Sequence, residues 1–148
     1  MRVPIQREPD ALDLPLPEYA MEGSAGVDLR AAVTDSVILP PGGRAKISAG
    51  IRLALPAGYE AQVRPRSGLA DKHGVGLVNS PGTIDETFRG VLHVLLINWG
   101  NSPFTVRRGD RIAQLVVAPV TRVEWQEAQE ALPTTTRGEG GFGHTGIE

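Results

Sequence analysis

Ala45-Lys46-Ile47-Ser48-Ala49-Gly50-Ile51-Arg52-Leu53-Ala54-Leu55-Pro56-Ala57-Gly58-Tyr59-Glu60-Ala61-Gln62-Val63-Arg64-Pro65 alternates apolar with small or polar residues on both sides of a single turn. A period of two belongs to a strand with one buried face. Pro56-Ala57-Gly58 interrupts the alternation and Pro65 ends it, so the stretch predicts strands over 45–55 and 59–64. Upstream, Ser36-Val37-Ile38-Leu39 stops at Pro40-Pro41-Gly42-Gly43, and downstream Phe104-Thr105-Val106-Arg107 and residues 112–120 repeat the strand signal. Val91-Leu92-His93-Val94-Leu95-Leu96-Ile97-Asn98 is a nearly continuous apolar run. It predicts a strand buried on both faces or lying at a subunit contact. Helix signals are few. Residues 123–132 have helix-forming composition, although Val123 and Trp125 also suit a strand, and a short helix fits near 67–72. The expected fold is all-β, a sandwich or jelly-roll of short strands.

The totals agree. A chain of 148 residues favours one domain with a real core. Glycine (18) and proline (12) together make about 20% of it, against a usual ~12%, and they are spread along the chain as turn punctuation. A net charge of -2 argues against a nucleic-acid polymer as partner and leaves room for a small polyanion. The absence of cysteine excludes disulfides, thiolate chemistry and Cys-ligated zinc. Met1-Arg2-Val3-Pro4-Ile5-Gln6-Arg7-Glu8 has no apolar leader core, and no apolar run approaches the ~18 residues of a spanning helix. These features predict a cytoplasmic chain with no membrane partner.

Three segments carry chemistry. His73, His93 and His144 lack metal-ligand spacing, and no G-x-S-x-G elbow exists. Arg108-Gly109-Asp110 spells an adhesion tripeptide, which in this context reads as coincidence. The tail from Thr134 to Gly146 is rich in glycine and reads either as a frayed end or as an arm that orders on a ligand. Gly138, Gly143 and Thr145 fit a phosphate-loop pattern except that His144 replaces its lysine, and the tail lacks the strand–loop–helix context. Glycine amides that converge on phosphate oxygens, helped by Arg137 and Thr145, remain a workable mechanism. Arg64-Pro65-Arg66-Ser67-Gly68 is a second anion candidate, or a solvated basic turn. Gly82-Thr83-Ile84-Asp85-Glu86-Thr87-Phe88-Arg89-Gly90 offers a general base and an aromatic platform, or a plain hairpin loop.

In order along the chain, these segments resemble the five motifs of the trimeric dUTP diphosphatases (dUTPases). Ala25-Gly26-Val27-Asp28-Leu29-Arg30-Ala31 is similar to the first motif and Pro65-Arg66-Ser67-Gly68-Leu69-Ala70 to the second. Gly82-Thr83-Ile84-Asp85 through Phe88-Arg89-Gly90, with Asn79 upstream, is similar to the third. Arg108-Gly109-Asp110-Arg111-Ile112-Ala113-Gln114-Leu115 resembles the fourth, and Arg137-Gly138-Glu139-Gly140-Gly141-Phe142-Gly143-His144-Thr145-Gly146 the fifth. One such motif is weak evidence; five in order are strong.

The resemblance implies a jelly-roll homotrimer whose three sites each draw motifs from all three chains. Residues 1–133 would form the body, and residues 134–148 an arm closing over the site. It implies cleavage of dUTP to dUMP and pyrophosphate by in-line attack of water on the α-phosphorus. Asp85 takes the place of the general base and Arg137 that of the arm arginine that neutralises developing charge. Asp28 corresponds to the carboxylate that holds Mg2+ through water, and Arg66, Ser67, Gly68 and Gln114 to triphosphate ligands. Asn79, Thr83, Ile84 and His93 occupy the uracil-reading positions, His93 by its backbone. Phe142 would stack on the uracil, with Gly143, His144 and Thr145 beside the phosphates. Two positions depart from the family. Phe88 stands where a tyrosine is usual beneath the deoxyribose, which predicts weaker sugar stringency or affinity. His144 replaces a small hydroxyl residue and either contacts a phosphate or points outward. A dCTP deaminase on the related fold, or a catalytically silent nucleotide-binding regulator, is the alternative.

Overall fold

The structure is a computed structural model that describes residues 1–142 and 144. Its strands are β1 (Ile5–Arg7), β2 (Val27–Arg30), β3 (Val37–Leu39), β4 (Arg44–Ser48), β5 (Ile51–Leu53), β6 (Tyr59–Arg64), β7 (Val75–Leu77), β8 (Gly82–Ile84), β9 (His93–Asn98), β10 (Phe104–Val106) and β11 (Arg111–Pro119). One short α-helix, α1 (Ser67–His73), and a 3-10 turn at Pro9–Ala11 complete the described elements. All pairings are antiparallel. A four-stranded sheet runs β2-β11-β6-β8, a three-stranded sheet β4-β9-β7, and two ribbons pair β1 with β5 and β10 with β3. Leu29, Ala61, Val63, Ala113 and Leu115 from the larger sheet meet Ile47, Val75, Leu77, Val94 and Leu96 from the smaller in one core. This is the expected jelly-roll class.

The alternating stretch 45–64 becomes three strands rather than two. Gly50 breaks the run at 45–55: its φ of +65° lies in the left-handed region, and a Cβ there would stand 2.8 Å from the Ala32 methyl and closer still to that of Ala11. Any side chain at this position meets both steric and backbone strain. Of the two readings of the strand at 91–98, burial on both faces does not hold within one chain, and the strand begins at His93. Val94, Leu96 and Asn98 are buried, Leu95 and Ile97 only partly, and His93 is exposed. One face enters the core and the other is half covered, so β9 is not buried on both faces within its own chain. Residues 123–132 form no helix; Val123 and Trp125 are exposed, and residues 119–139 all face solvent. A short helix needs an apolar face to bury, and nothing among the described residues covers this segment. The helix near 67–72 is present as α1, closed by Gly74 in the left-handed conformation.

Asn98 is the single polar side chain fully buried among the described residues. Its Nδ2 donates to the carbonyls of Leu39 (2.9 Å) and Ser102 (2.8 Å), and its Oδ1 accepts from the Gly100 amide (2.9 Å). Asn98→Ala therefore orphans three backbone groups at once, one at the end of β3 and two in the β9–β10 loop. The expected loss is about 2–4 kcal/mol, read from urea unfolding at matched protein concentration. A loss below about 1 kcal/mol would mean that these groups find other partners.

Candidate active site

The larger sheet sets a cation and carboxylate cluster on its outer face. Register places Asp28 of β2 opposite Gln114 of β11, and Gln114 opposite Arg64 of β6, so the three side chains share one face. A bulge in the β11–β2 ladder between Arg111 and Ala113 changes the parity. Strict alternation from Gln114 would turn Arg111 inward; instead Ile112 and Ala113 are both buried and Arg111 is outside. Bulges re-aim side chains in this way. Arg111 then reaches Asp28 (Nη1–Oδ2 3.2 Å) while Arg66 takes the other oxygen (Nε–Oδ1 2.9 Å). Arg66 also donates to the Arg111 carbonyl (3.1 Å), which locks the three together. The Asp28 side chain is only 17% exposed, so this carboxylate is held between two guanidinium groups and largely withdrawn from water.

Arg66 is the residue before α1. The amides of Leu69 and Ala70 use the Arg66 carbonyl, whereas those of Ser67 and Gly68 precede the first helical bond. A Cβ on Gly68 would meet nothing within 4 Å, so packing in its own chain does not explain that glycine. The backbone there is open to approach.

A second group lies on the β8–β9 connection. Asn79 folds over the start of β8, its Nδ2 3.1 Å from where a Cβ on Gly82 would stand. Thr83 is exposed opposite Gln62, and Ile84 packs inward opposite Ala61. Asp85 follows at the start of a turn closed by Phe88 N–H donating to the Asp85 carbonyl (3.1 Å). Asp85 is exposed, and no described cation stands within ion-pair distance of it. The Phe88 ring lies across Gly90, where a Cβ would stand 2.6 Å from Cζ, so only glycine leaves space for it. His93 turns its ring back to the Val91 carbonyl (Nδ1 3.0 Å), away from a ligand role.

Of the arm residues that are described, Arg137, Phe142 and His144 join neither group. Arg137 donates to the Gly140 carbonyl (2.8 Å), the Phe142 ring is fully exposed, and His144 packs on Gly140. Gly143 and Thr145 lie outside the described residues. Arg108 of the adhesion-like tripeptide is instead a structural tie. It clasps Asp13 (2.6 and 3.0 Å) and the carbonyls of Asp10 and Val33, and its hydrogen bond holds the Asp13 carboxyl below the usual carboxylate range.

One chain thus brings Asp28, Arg66, Ser67, Gly68 and Gln114 to one place, and Asn79, Thr83, Ile84, Asp85, Phe88 and His93 to another. A sequence profile of the dUTPase family matches residues 13–146, across both groups and most of the arm. The chain belongs to the dUTPase family. Deoxyuridine 5'-triphosphate nucleotidohydrolases are similar over nearly the whole length. That of Anaplasma marginale (strain St. Maries) is 51% identical over 146 residues, 99% of each chain. That of Maricaulis maris (strain MCS10) is 57% identical over 137 residues, 91% of this chain and 90% of that one. Among solved structures, the dUTPase of Staphylococcus bacteriophage 80alpha with dUPNHPP superposes with a TM-score of 0.85 at 24% identity, over 99% of each chain. A variant dUTPase of phage phi11 of S. aureus, described with a structural Mg(II) ion, has a TM-score of 0.76 at 22% identity, over 88% of this chain and 98% of that one. At these identities the two structures speak for the fold alone. Arg111 joins the Asp28 cluster although the sequence alone assigns it no role, because only the bulge turns it toward Asp28.

Proposed function

We propose that this dUTPase is a cytoplasmic homotrimer that hydrolyses dUTP to dUMP and pyrophosphate with Mg2+, each site being assembled from three copies of the chain. Its role is to limit uracil incorporation into DNA and to supply dUMP for dTMP synthesis. The observation that carries the assembly is a separation. Ala61 pairs with Ile84, so continuing the ladder sets Asp85 against Glu60, whereas Arg66 lies beyond the opposite end of β6. The run from Glu60 to Arg66 spans about 20 Å at ~3.4 Å per residue. A general base must lie within about 3 Å of the water it deprotonates. Asp85 therefore serves phosphates held by Arg66 of a different copy. The half-covered face of β9 and the exposed 119–139 segment support the same reading, since both offer surface to a neighbouring copy.

The reaction follows from these roles. The Asp85 carboxylate accepts a proton from a water molecule as its oxygen bonds to the α-phosphorus. The bond from that phosphorus to the α,β-bridging oxygen breaks in line, and pyrophosphate leaves. Arg66, Gln114 and the Ser67 and Gly68 amides hold the triphosphate. Arg137 brings charge from the arm to the transition state, and Phe142 covers the uracil. Asn79 and the backbone of Thr83, Ile84 and His93 read the uracil edge, and a base with the wrong donors leaves them unpaired. Phe88 lies beneath the sugar. The cysteine-free composition and a nucleotide substrate fit the cytoplasm, and no described helix is long and apolar enough to cross a membrane.

The donor set bears on the metal. No three described His, Asp or Glu residues converge to cage an ion, and both Asp28 oxygens already accept from arginines. That arrangement fits Mg2+ carried on triphosphate oxygens with its waters, Asp28 reaching it through one of them. When bound, Mg2+ neutralises phosphate charge.

Mixing two inactive variants tests the assembly. Asp85→Asn and Arg66→Leu homotrimers are each silent, but co-refolded at equal amounts they form sites that pair an intact base with an intact Arg66. Random mixing restores roughly a quarter of wild-type turnover. A mixture as inactive as its parents would place base and phosphate ligands in the same chain.

A further inference from the structure

The loop that carries Asp85 and Phe88 is largely exposed from 85 to 89 and pairs with no strand until Leu92. Its shape is held from outside by side chains not yet given a part in the reaction. Arg89 folds back, its Nη1 donating to the carbonyls of Glu86 (2.6 Å) and Phe88 (2.8 Å), which tightens the turn on itself. Glu86 accepts from the Gly58 amide and from Arg122 (2.9 Å). The Arg89 carbonyl in turn accepts from Arg52 Nη1 (3.2 Å). Arg52 is the outward residue of β5, between buried Ile51 and Leu53. Its Nε and Nη2 grip the two oxygens of Glu8 at 2.6 and 3.2 Å. That hydrogen bonding draws the Glu8 carboxyl below its usual range, so the grip operates with an ionised partner. Glu8 itself is anchored where β1 leaves β5, its amide donating to Gly50 O (2.8 Å). The far end of the loop is tied to the same strand, since Leu92 N–H donates to Ile51 O (2.9 Å).

We propose that Arg52, oriented by Glu8, is a positioning residue for the hydrolysis: it fixes the loop that presents Asp85 to the water and Phe88 to the sugar. This inference rests on those two roles. The geometry requires a fork, because one guanidinium spends two N–H groups on Glu8 and a third on the loop. A lysine keeps the charge attraction to Glu8 but cannot span both partners in that fixed geometry.

The test compares Arg52→Lys and Arg52→Met with wild type in the assembled enzyme. It reads kcat and KM for dUTP, the preference for dUTP over UTP, and amide hydrogen exchange across 85–92. Both variants are expected to lower kcat about threefold to tenfold, through misplacement of the base. They should also narrow the dUTP preference and speed exchange in this loop, with exchange in β6 and β9 unchanged. If Arg52 merely pinned the β1–β5 ribbon, Arg52→Lys would keep wild-type kcat, sugar preference and loop exchange, and that result overturns the proposal. Glu8→Gln serves as the second variant: it should loosen the same loop to a smaller degree, and an unchanged loop counts against the brace. A failure of the base assignment shows separately, as turnover that survives Asp85→Asn while Arg52→Lys still frees the loop.

Discussion

Asp85→Asn stops pyrophosphate release from dUTP while the nucleotide still binds. Asparagine preserves the shape of the side chain and a carbonyl acceptor, but it cannot take a proton from the attacking water. Loss of a positioned general base costs about 10²–10⁴-fold in rate. The fold has little stake in this carboxylate: Asp85 is exposed, makes no described ion pair, and closes its turn through its backbone carbonyl (3.1 Å from Phe88 N). Stability and loop shape are therefore unchanged, and the loss appears in kcat. Steady-state pyrophosphate release, paired with calorimetric binding of the non-hydrolysable analogue dUpNHpp, separates the two. A kcat within about tenfold of wild type would remove Asp85 from the chemistry.

Arg137→Ala lowers kcat for dUTP by about 10²–10³-fold with a smaller change in KM, the signature of a donor that acts on transition-state charge. Among the described residues Arg137 donates to the Gly140 carbonyl at 2.8 Å, on a stretch of arm exposed to solvent. Its removal leaves no buried partner unpaired, so the melting temperature is unaffected. Arg137→Lys recovers part of the rate, since it restores charge without the planar fork. Equal losses in kcat and substrate affinity would make Arg137 an ordinary phosphate anchor. An unchanged kcat would leave the arm without a catalytic part.

How much of this was legible in the sequence varies by residue. Tyr59–Arg64 was readable because alternation and flanking prolines are local, and it is β6 as expected. The break at Gly50 was not, because the methyl groups that crowd it belong to Ala11 and Ala32, remote in sequence. β1 escaped notice for a similar reason: three residues become a strand only by pairing with β5. Residues 123–132 had helix-forming composition, but propensity without an apolar surface to cover does not make a helix. The site's residue types were readable from their order along the chain. The resemblance implied sites shared among three chains, but not which residues one chain keeps apart: the ~20 Å between Asp85 and Arg66 emerges only from the β6–β8 register and the strand rise. The role of Arg111 needed the bulge, because strict alternation places its side chain inside.

The proposed activity couples recognition of base and sugar: dUTP is bound, and it is hydrolysed. Pyrophosphate release measured with Mg2+ on separate solutions of dUTP, dTTP, dCTP and UTP tests it most directly. Release is expected to be rapid from dUTP, slight from UTP, and essentially nil from dTTP or dCTP. Ammonia from dCTP, or pyrophosphate from all four at similar rates, would contradict it.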